Sequence, residues 1–200
     1  ATAQHAEWLP KIASGEVIAG VAIAEPVAGA RDGAGVTASG GKLSGKALFV
    51  TDAIIADIFV VADQAGDLHL VRGDAAGLTR SAMTTIDQTR PLGEVGFDGT
   101  RAEPLAGGVH ALDSMRDAAW TLLAADTLGA DHVMIEKAVD YAKERRQFGR
   151  VIGSFQAVKH MCAEMAAELE PCRSLVWYAA YAFDDAPGEA LACGGGEAQQ

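Results

Sequence analysis

The sequence predicts an α+β protein: an antiparallel β-barrel or sandwich followed by part of an α-helical bundle. Three observations carry that expectation. Short β-rich runs crowd the first hundred residues with no helical segment between them. Long alanine-rich segments with three- and four-residue apolar spacing fill the second half. Composition changes once, near Gly107-Gly108. The expected division is a β-domain over 1–107, a partial helical bundle over 108–185 and a tail over 186–200, whose closing ACGGGEAQQ has too little apolar surface to build a packed element.

Within the β-domain, Gly15 to Ile23 is apolar and partly alternating and reads as a strand, after which Glu25-Pro26 opens a loop through Gly29, Arg31, Asp32 and Gly33. Lys46 to Thr51 and Ile58 to Ala62 are short β-rich runs, and Glu94 to Asp98 is another. Asp63 to Asp67 (DQAGD) is a turn that returns the chain into Leu68 to Val71, which makes a hairpin.

In the second half, Leu112, Met115, Ala119, Leu122 and Ala125 predict a helix over 110–129. Met134, Ala138, Tyr141 and Ala142 continue one apolar face to Phe148-Gly149, where glycine is a natural helix stop. Ser154 is placed to cap a following helix. There Val158, Met161, Cys162, Met165, Leu169, Cys172 and Val176 form a stripe that reads as bundle core, with Pro171 expected to kink it.

Charge and cysteine usage narrow the function classes. Lys plus Arg number 16 against 27 Asp plus Glu, for a net charge of -11, which argues against a broad nucleic-acid surface or an anionic-membrane binder. The longest apolar run, AIIADIFVVADQ, is interrupted by Asp57, so no membrane insertion is expected. The N-terminal ATAQHAEWLP lacks the basic start and apolar stretch of a signal peptide. Cys162 and Cys172 on one helix would lie about 15 Å apart, too far for a disulfide. The 3 cysteines have no metal-like spacing, so no metal site is expected and the setting reads as reducing and cytoplasmic.

Tyr141 to Gln156 (YAKERRQFGRVIGSFQ) departs from this background by clustering Arg145, Arg146 and Arg150 in an acidic chain. Such a cluster suits an anionic ligand, a phosphate or pyrophosphate above all. Charge alone also fits a solvated helix end, where cations complement the dipole.

The full strings go further. AEWLPKIASGEVIAGVAIAEP (6–26), KLSGKALFVTDAIIAD (42–57) and AVDYAKERRQFGRVIGSFQAVKHMCAEM (138–165) follow in order, and the last carries R-x-x-F-G and then I-x-x-F-Q. In these stretches the chain resembles the acyl-CoA dehydrogenase family, over nearly its whole length to about Asp185. The resemblance implies the family's middle β-domain and part of its C-terminal helical domain, with the N-terminal helical domain absent and the bundle incomplete.

It also implies FAD as cofactor, an acyl-CoA thioester as substrate, electron-transfer flavoprotein as electron acceptor, and a homo- or hetero-oligomer. Ile23, Ala24 and Gly29 would lie beside the flavin ring and Ala30 beside the substrate; Ala24 and Ala30 replace hydroxyl residues usual in the family, which predicts weakened flavin binding. Phe49 and Thr51 match the strand flanking the ring, although an ordinary buried strand would read the same way. Arg145 matches the arginine that reaches the pyrophosphate of a neighbouring subunit's flavin, with Gln147 and Phe148 at the shared contact and Gln156 near the adenine. Asp117 and Trp120 fall in the substrate-contacting turn. The family's usual catalytic glutamate is not found in the chain, and its alternative position aligns with Ala119, which cannot act as a base. Asp117 lies two residues away on a different helical face. Two further readings stay open: a non-catalytic partner subunit, motivated by Ala24, Ala30 and Ala119, and a flavin-dependent monooxygenase on the same fold.

Overall fold

The computed structural model describes residues 3–29 and 33–185. It divides into two units between Ser114 and Met115.

The first unit opens with a helix, α1 (Ala3–Ser14), where the sequence predicts no element. Gly15, at φ +76°, ends it by donating its N–H to the Ile12 carbonyl. The predicted strand over 15–23 contracts to β1 (Ala19–Ala22), because Gly15 to Ile18 carry the chain out of the helix. The predicted loop at Glu25-Pro26 is instead a short helix, α2 (Ala24–Ala28). Pro26 is tolerated there because first-turn N–H groups have no helical partner in any case.

Seven strands follow: β2 (Gly35–Ser39), β3 (Lys42–Thr51), β4 (Ile58–Ala62), β5 (Leu68–Arg72), β6 (Leu78–Ala82), β7 (Leu92–Arg101) and β8 (Glu103–Pro104). They form two four-stranded sheets, ordered β1-β4-β5-β8 and β2-β3-β7-β6. The sandwich alternative therefore holds and no barrel closes. Pairing is antiparallel except between β1 and β4, which run parallel with Ala19 opposite Ile58. This pair departs from the all-antiparallel expectation; parallel neighbours need a long connection, and residues 23–57 supply one by passing through the other sheet. The predicted hairpin is β4-β5, whose turn is fastened by Asp63: Oδ1 accepts the N–H groups of Ala65 and Asp67 at 2.9 and 3.0 Å. One core draws on both sheets, with Leu43, Val50, Phe59, Val61, Val71 and Val95 enclosed.

The second unit holds most of a 37-residue helix, α3 (Gly108–Glu144), which merges the two predicted helical stretches. Gly129 does not interrupt it, since a mid-helix glycine costs only about 1 kcal/mol. The helix stops at Glu144, not at Phe148-Gly149. Those two residues are the turn of a small hairpin between β9 (Arg146–Gln147) and β10 (Arg150–Val151). Both have positive φ, +51° and +78°, the pairing that a two-residue turn of this hand demands. Ser154 is not a helix cap. It lies in a 3₁₀ turn (Ile152–Ser154) and its Oγ donates to the Val151 carbonyl at 2.7 Å, while α4 (Gln156–Asp185) starts two residues later and continues through Pro171. Of the expected core stripe, Val158, Cys162, Met165, Leu169 and Val176 are half-buried, but Met161 is 62% exposed and Cys172 is exposed. Within this unit a single helical neighbour covers only part of the stripe, and an apolar groove of about 510 Å³ runs between α3 and α4 past Met134, Ile135, Met165 and Leu169. Among the described residues no helix is long and apolar enough to cross a membrane. The tail over 186–200 lies outside the described residues.

Candidate functional site

The residues singled out from sequence fall into three groups. The first joins α2 to β3. Ile23 precedes α2, Ala24 opens it, and Gly29 closes it at φ +85° with its N–H on the Glu25 carbonyl at 2.8 Å. Among the described residues no atom lies within 4 Å of where a Cβ on Gly29 would stand, so the described surroundings leave its backbone open to close approach. Ala30 lies outside the described residues. Across from α2, β3 leaves its ladder with β7 between Ala47 and Val50. Phe49 sits in that irregularity at φ +56°, unusual for an aromatic residue, with its ring 42% exposed. Thr51 follows at the exposed end of the strand, opposite Leu92.

A residue not singled out from sequence ties these segments together. Glu25 is only 8% exposed, its Oε1 accepts the Leu48 N–H at 2.5 Å, and its Oε2 is buried with no hydrogen-bond partner among the described residues. A carboxylate between apolar runs and directly before proline was the available signal, since charges are seldom buried without a task.

The second group is on α3. Asp117 faces its neighbour Arg116, whose Nε and Nη2 both donate to Oδ1, at 3.0 and 2.9 Å. The same guanidinium carbon stands 5.1 Å from the centre of the Trp120 ring. Asp117 and Trp120 are thus linked through one arginine, and Asp117 is engaged as an ion-pair acceptor. Ala119 is half-buried on the same helix and offers no proton acceptor.

The third group surrounds the β9-β10 hairpin. Arg145 N–H bonds the Tyr141 carbonyl at 2.8 Å and its own carbonyl accepts from Ile152 N at 2.8 Å, so its backbone joins helix end to hairpin base while its side chain is exposed. Phe148 is 90% exposed at the turn and meets Phe155 edge-on, centroids 6.2 Å apart. Arg150 is not simply solvated: its guanidinium lies 4.1 Å from the Phe155 ring centre. Gln147 and Gln156 are exposed beside this cluster. A planar guanidinium at Arg145 that has no side-chain partner among the described residues, flanked by amide side chains and an exposed aromatic, is suited to an anionic, ring-bearing ligand. Among the described residues no His, Cys, Asp and Glu group could hold a metal ion.

Residues 108–198, the helical half, match the family described as acyl-CoA dehydrogenase, C-terminal domain. Through this half the chain belongs to the acyl-CoA dehydrogenase family. It is 35% identical over 204 residues to L-prolyl-[peptidyl-carrier protein] dehydrogenase of Pseudomonas fluorescens, covering 90% of this chain and 54% of that protein. The crystal structure of glutaryl-CoA dehydrogenase from Mycobacterium smegmatis superposes with a TM-score of 0.82 at 27% identity, over 96% of this chain and 55% of that one. A structure described as PigA with FAD and proline gives a TM-score of 0.80 at 26% identity, over 96% and 57%. The chain spans about half the length of the curated relatives it matches. Both halves take part in the likeness, so the β-sandwich belongs to the family fold as much as the helices do.

Proposed function

We propose that the chain is the middle β-domain and part of the helical domain of an FAD-dependent dehydrogenase that oxidises an acyl-CoA thioester between its α and β carbons. The observation that carries this reading is the tie between α2 and the irregular part of β3: the two segments expected on either side of a flavin ring are fastened to each other by a buried carboxylate. Residues 23, 24 and 29 with Phe49 and Thr51 would hold the ring end of FAD. Arg145, Gln147, Phe148 and Gln156 would hold the phosphate and adenine end of a cofactor shared with a second subunit. When bound, FAD supplies the acceptor for the hydride that leaves the β-carbon. Within this chain Ala24 brings no hydroxyl to that site, Asp117 is occupied by Arg116, and Ala119 cannot take the α-proton, so neither position on α3 supplies the base.

The relatives' FAD-bearing structure and the glutaryl-CoA dehydrogenase fold support the cofactor and substrate class. Leu122, Met134, Trp177 and Tyr181 are exposed apolar side chains of the helical unit, which supports association with another subunit. We read electron-transfer flavoprotein as the electron acceptor and the cytoplasm as the setting. The test is the visible spectrum of the purified chain with added FAD, after gel filtration with light scattering. A retained flavin band on an oligomer is expected; a flavin-free monomer would overturn the reading.

A second reading, a non-catalytic partner of a heteromeric dehydrogenase, is favoured by Ala24 and by the absence of a base at Asp117 and Ala119. Turnover of acyl-CoA by the chain alone would exclude it, whereas activity only after mixing with a co-purified homologue would support it.

A further inference from the structure

We propose that Glu25 is a positioning residue for the cofactor-facing surface: its buried carboxylate holds the β3 bulge that presents Phe49. The flavin part of this proposal rests on the function proposed above; the structural part does not.

The pairing register shows why a holder is needed. Ala47 faces Val95 and Val50 faces Gly93, so Leu48 and Phe49 together oppose the single residue Glu94. Two residues against one is a β-bulge, which leaves a backbone group outside the ladder and re-aims a side chain. Leu48 is 5% exposed, so its N–H cannot turn to water, and a buried donor without an acceptor is strongly unfavourable. The acceptor comes from Glu25, 23 residues earlier on a different element. With that bond made, Phe49 can keep its left-handed backbone and direct its ring outward. Without it, the Leu48 N–H would be a buried donor with no acceptor, and the bulge would open locally to let water reach it, releasing Phe49 from its fixed direction. The same carboxylate anchors α2, so the openings at Gly29 and at Phe49 are set by one group.

The test compares Glu25→Ala and Glu25→Gln in the full 200-residue chain. Glutamine keeps an acceptor oxygen for Leu48 while removing the charge. Amide hydrogen exchange resolved by NMR reads the bulge, and FAD fluorescence titration reads the site. In Glu25→Ala, exchange at Leu48 is expected to rise at least about tenfold while Ala47 and Val50 stay protected, and the FAD dissociation constant to rise by about the same factor, as for one lost hydrogen bond to a charged group. Glu25→Gln is expected to restore both to within about threefold.

Unchanged exchange at Leu48 in the alanine variant overturns the proposal. So does equal acceleration along all of β3 and β7, which would make Glu25 an ordinary fold contact, and so does FAD binding as weak in Glu25→Gln as in Glu25→Ala with Leu48 still protected. If Glu25→Ala does not fold, Glu25→Asp, one methylene too short to reach, takes its place. If the wild-type chain takes up no FAD, the flavin reading is what fails, and exchange at Leu48 still decides whether Glu25 holds the bulge.

Discussion

Arg150 stacks on Phe155 with its guanidinium carbon 4.1 Å from the ring centre, and Phe148 meets that ring at an interplanar angle of 87°. The three side chains lock a two-residue turn onto the start of α4, so the segment bearing Arg145 is a built structure and not a frayed helix end.

Replacing Phe155 by leucine keeps apolar bulk but removes both ring interactions. A loss of about 1–2 kcal/mol is expected from the edge-on pair and the cation–π contact together. Urea unfolding followed by circular dichroism measures it; a variant as stable as wild type would show that the rings only share space.

Two glycines beside that cluster should respond for different reasons. Gly149 has φ +78° and, among the described residues, no atom within 4 Å of a would-be Cβ, so Gly149→Ala should cost about 1 kcal/mol, from backbone conformation alone. Gly153 is not in the left-handed region, but a Cβ there would stand 2.9 Å from the Ala142 carbonyl oxygen. Gly153→Ala should cost more, about 2–3 kcal/mol, because a helix backbone has to move. The reverse order of the two midpoints would contradict this account.

In the β-domain, Asp63 combines two turn bonds with a 2.9 Å contact from Oδ2 to His69 Nε2, both side chains largely enclosed. Asp63→Ala strips three interactions at once and should cost about 3 kcal/mol or more, as for the breaking of a buried polar pair. Asp63→Asn keeps an acceptor for the turn and should cost about half as much. Thermal unfolding of the two variants decides, and equal melting temperatures would sink the argument.

Restoring a hydroxyl at the start of α2 should strengthen cofactor binding. Ala24→Thr adds one hydrogen-bonding group, and about 0.5–1.5 kcal/mol of FAD affinity is expected from it. Fluorescence titration with FAD provides the measurement; affinity equal to or below that of wild type would show that position 24 does not touch the flavin.

Features governed by neighbours in the chain were legible in the sequence. The period of the apolar residues placed helices over most of 108–185, DQAGD placed the β4-β5 turn, and R-x-x-F-G marked the segment of Arg145. Each depends on spacing and turn chemistry within a few residues, which a sequence states directly. What the sequence left undecided depends on residues far apart in the chain. The parallel pairing of β1 with β4, and the split into two sheets instead of a closed barrel, follow from how residues 23–57 travel between layers. The end of α3 at Glu144 moved because Phe148 and Gly149 both adopt positive φ, and only the pairing of Arg146 with Val151 makes that worthwhile. Glu25 shows the limit most plainly: its sequence neighbours mark it as one acidic residue before a proline, and only the tertiary structure supplies the buried Leu48 N–H that its carboxylate accepts.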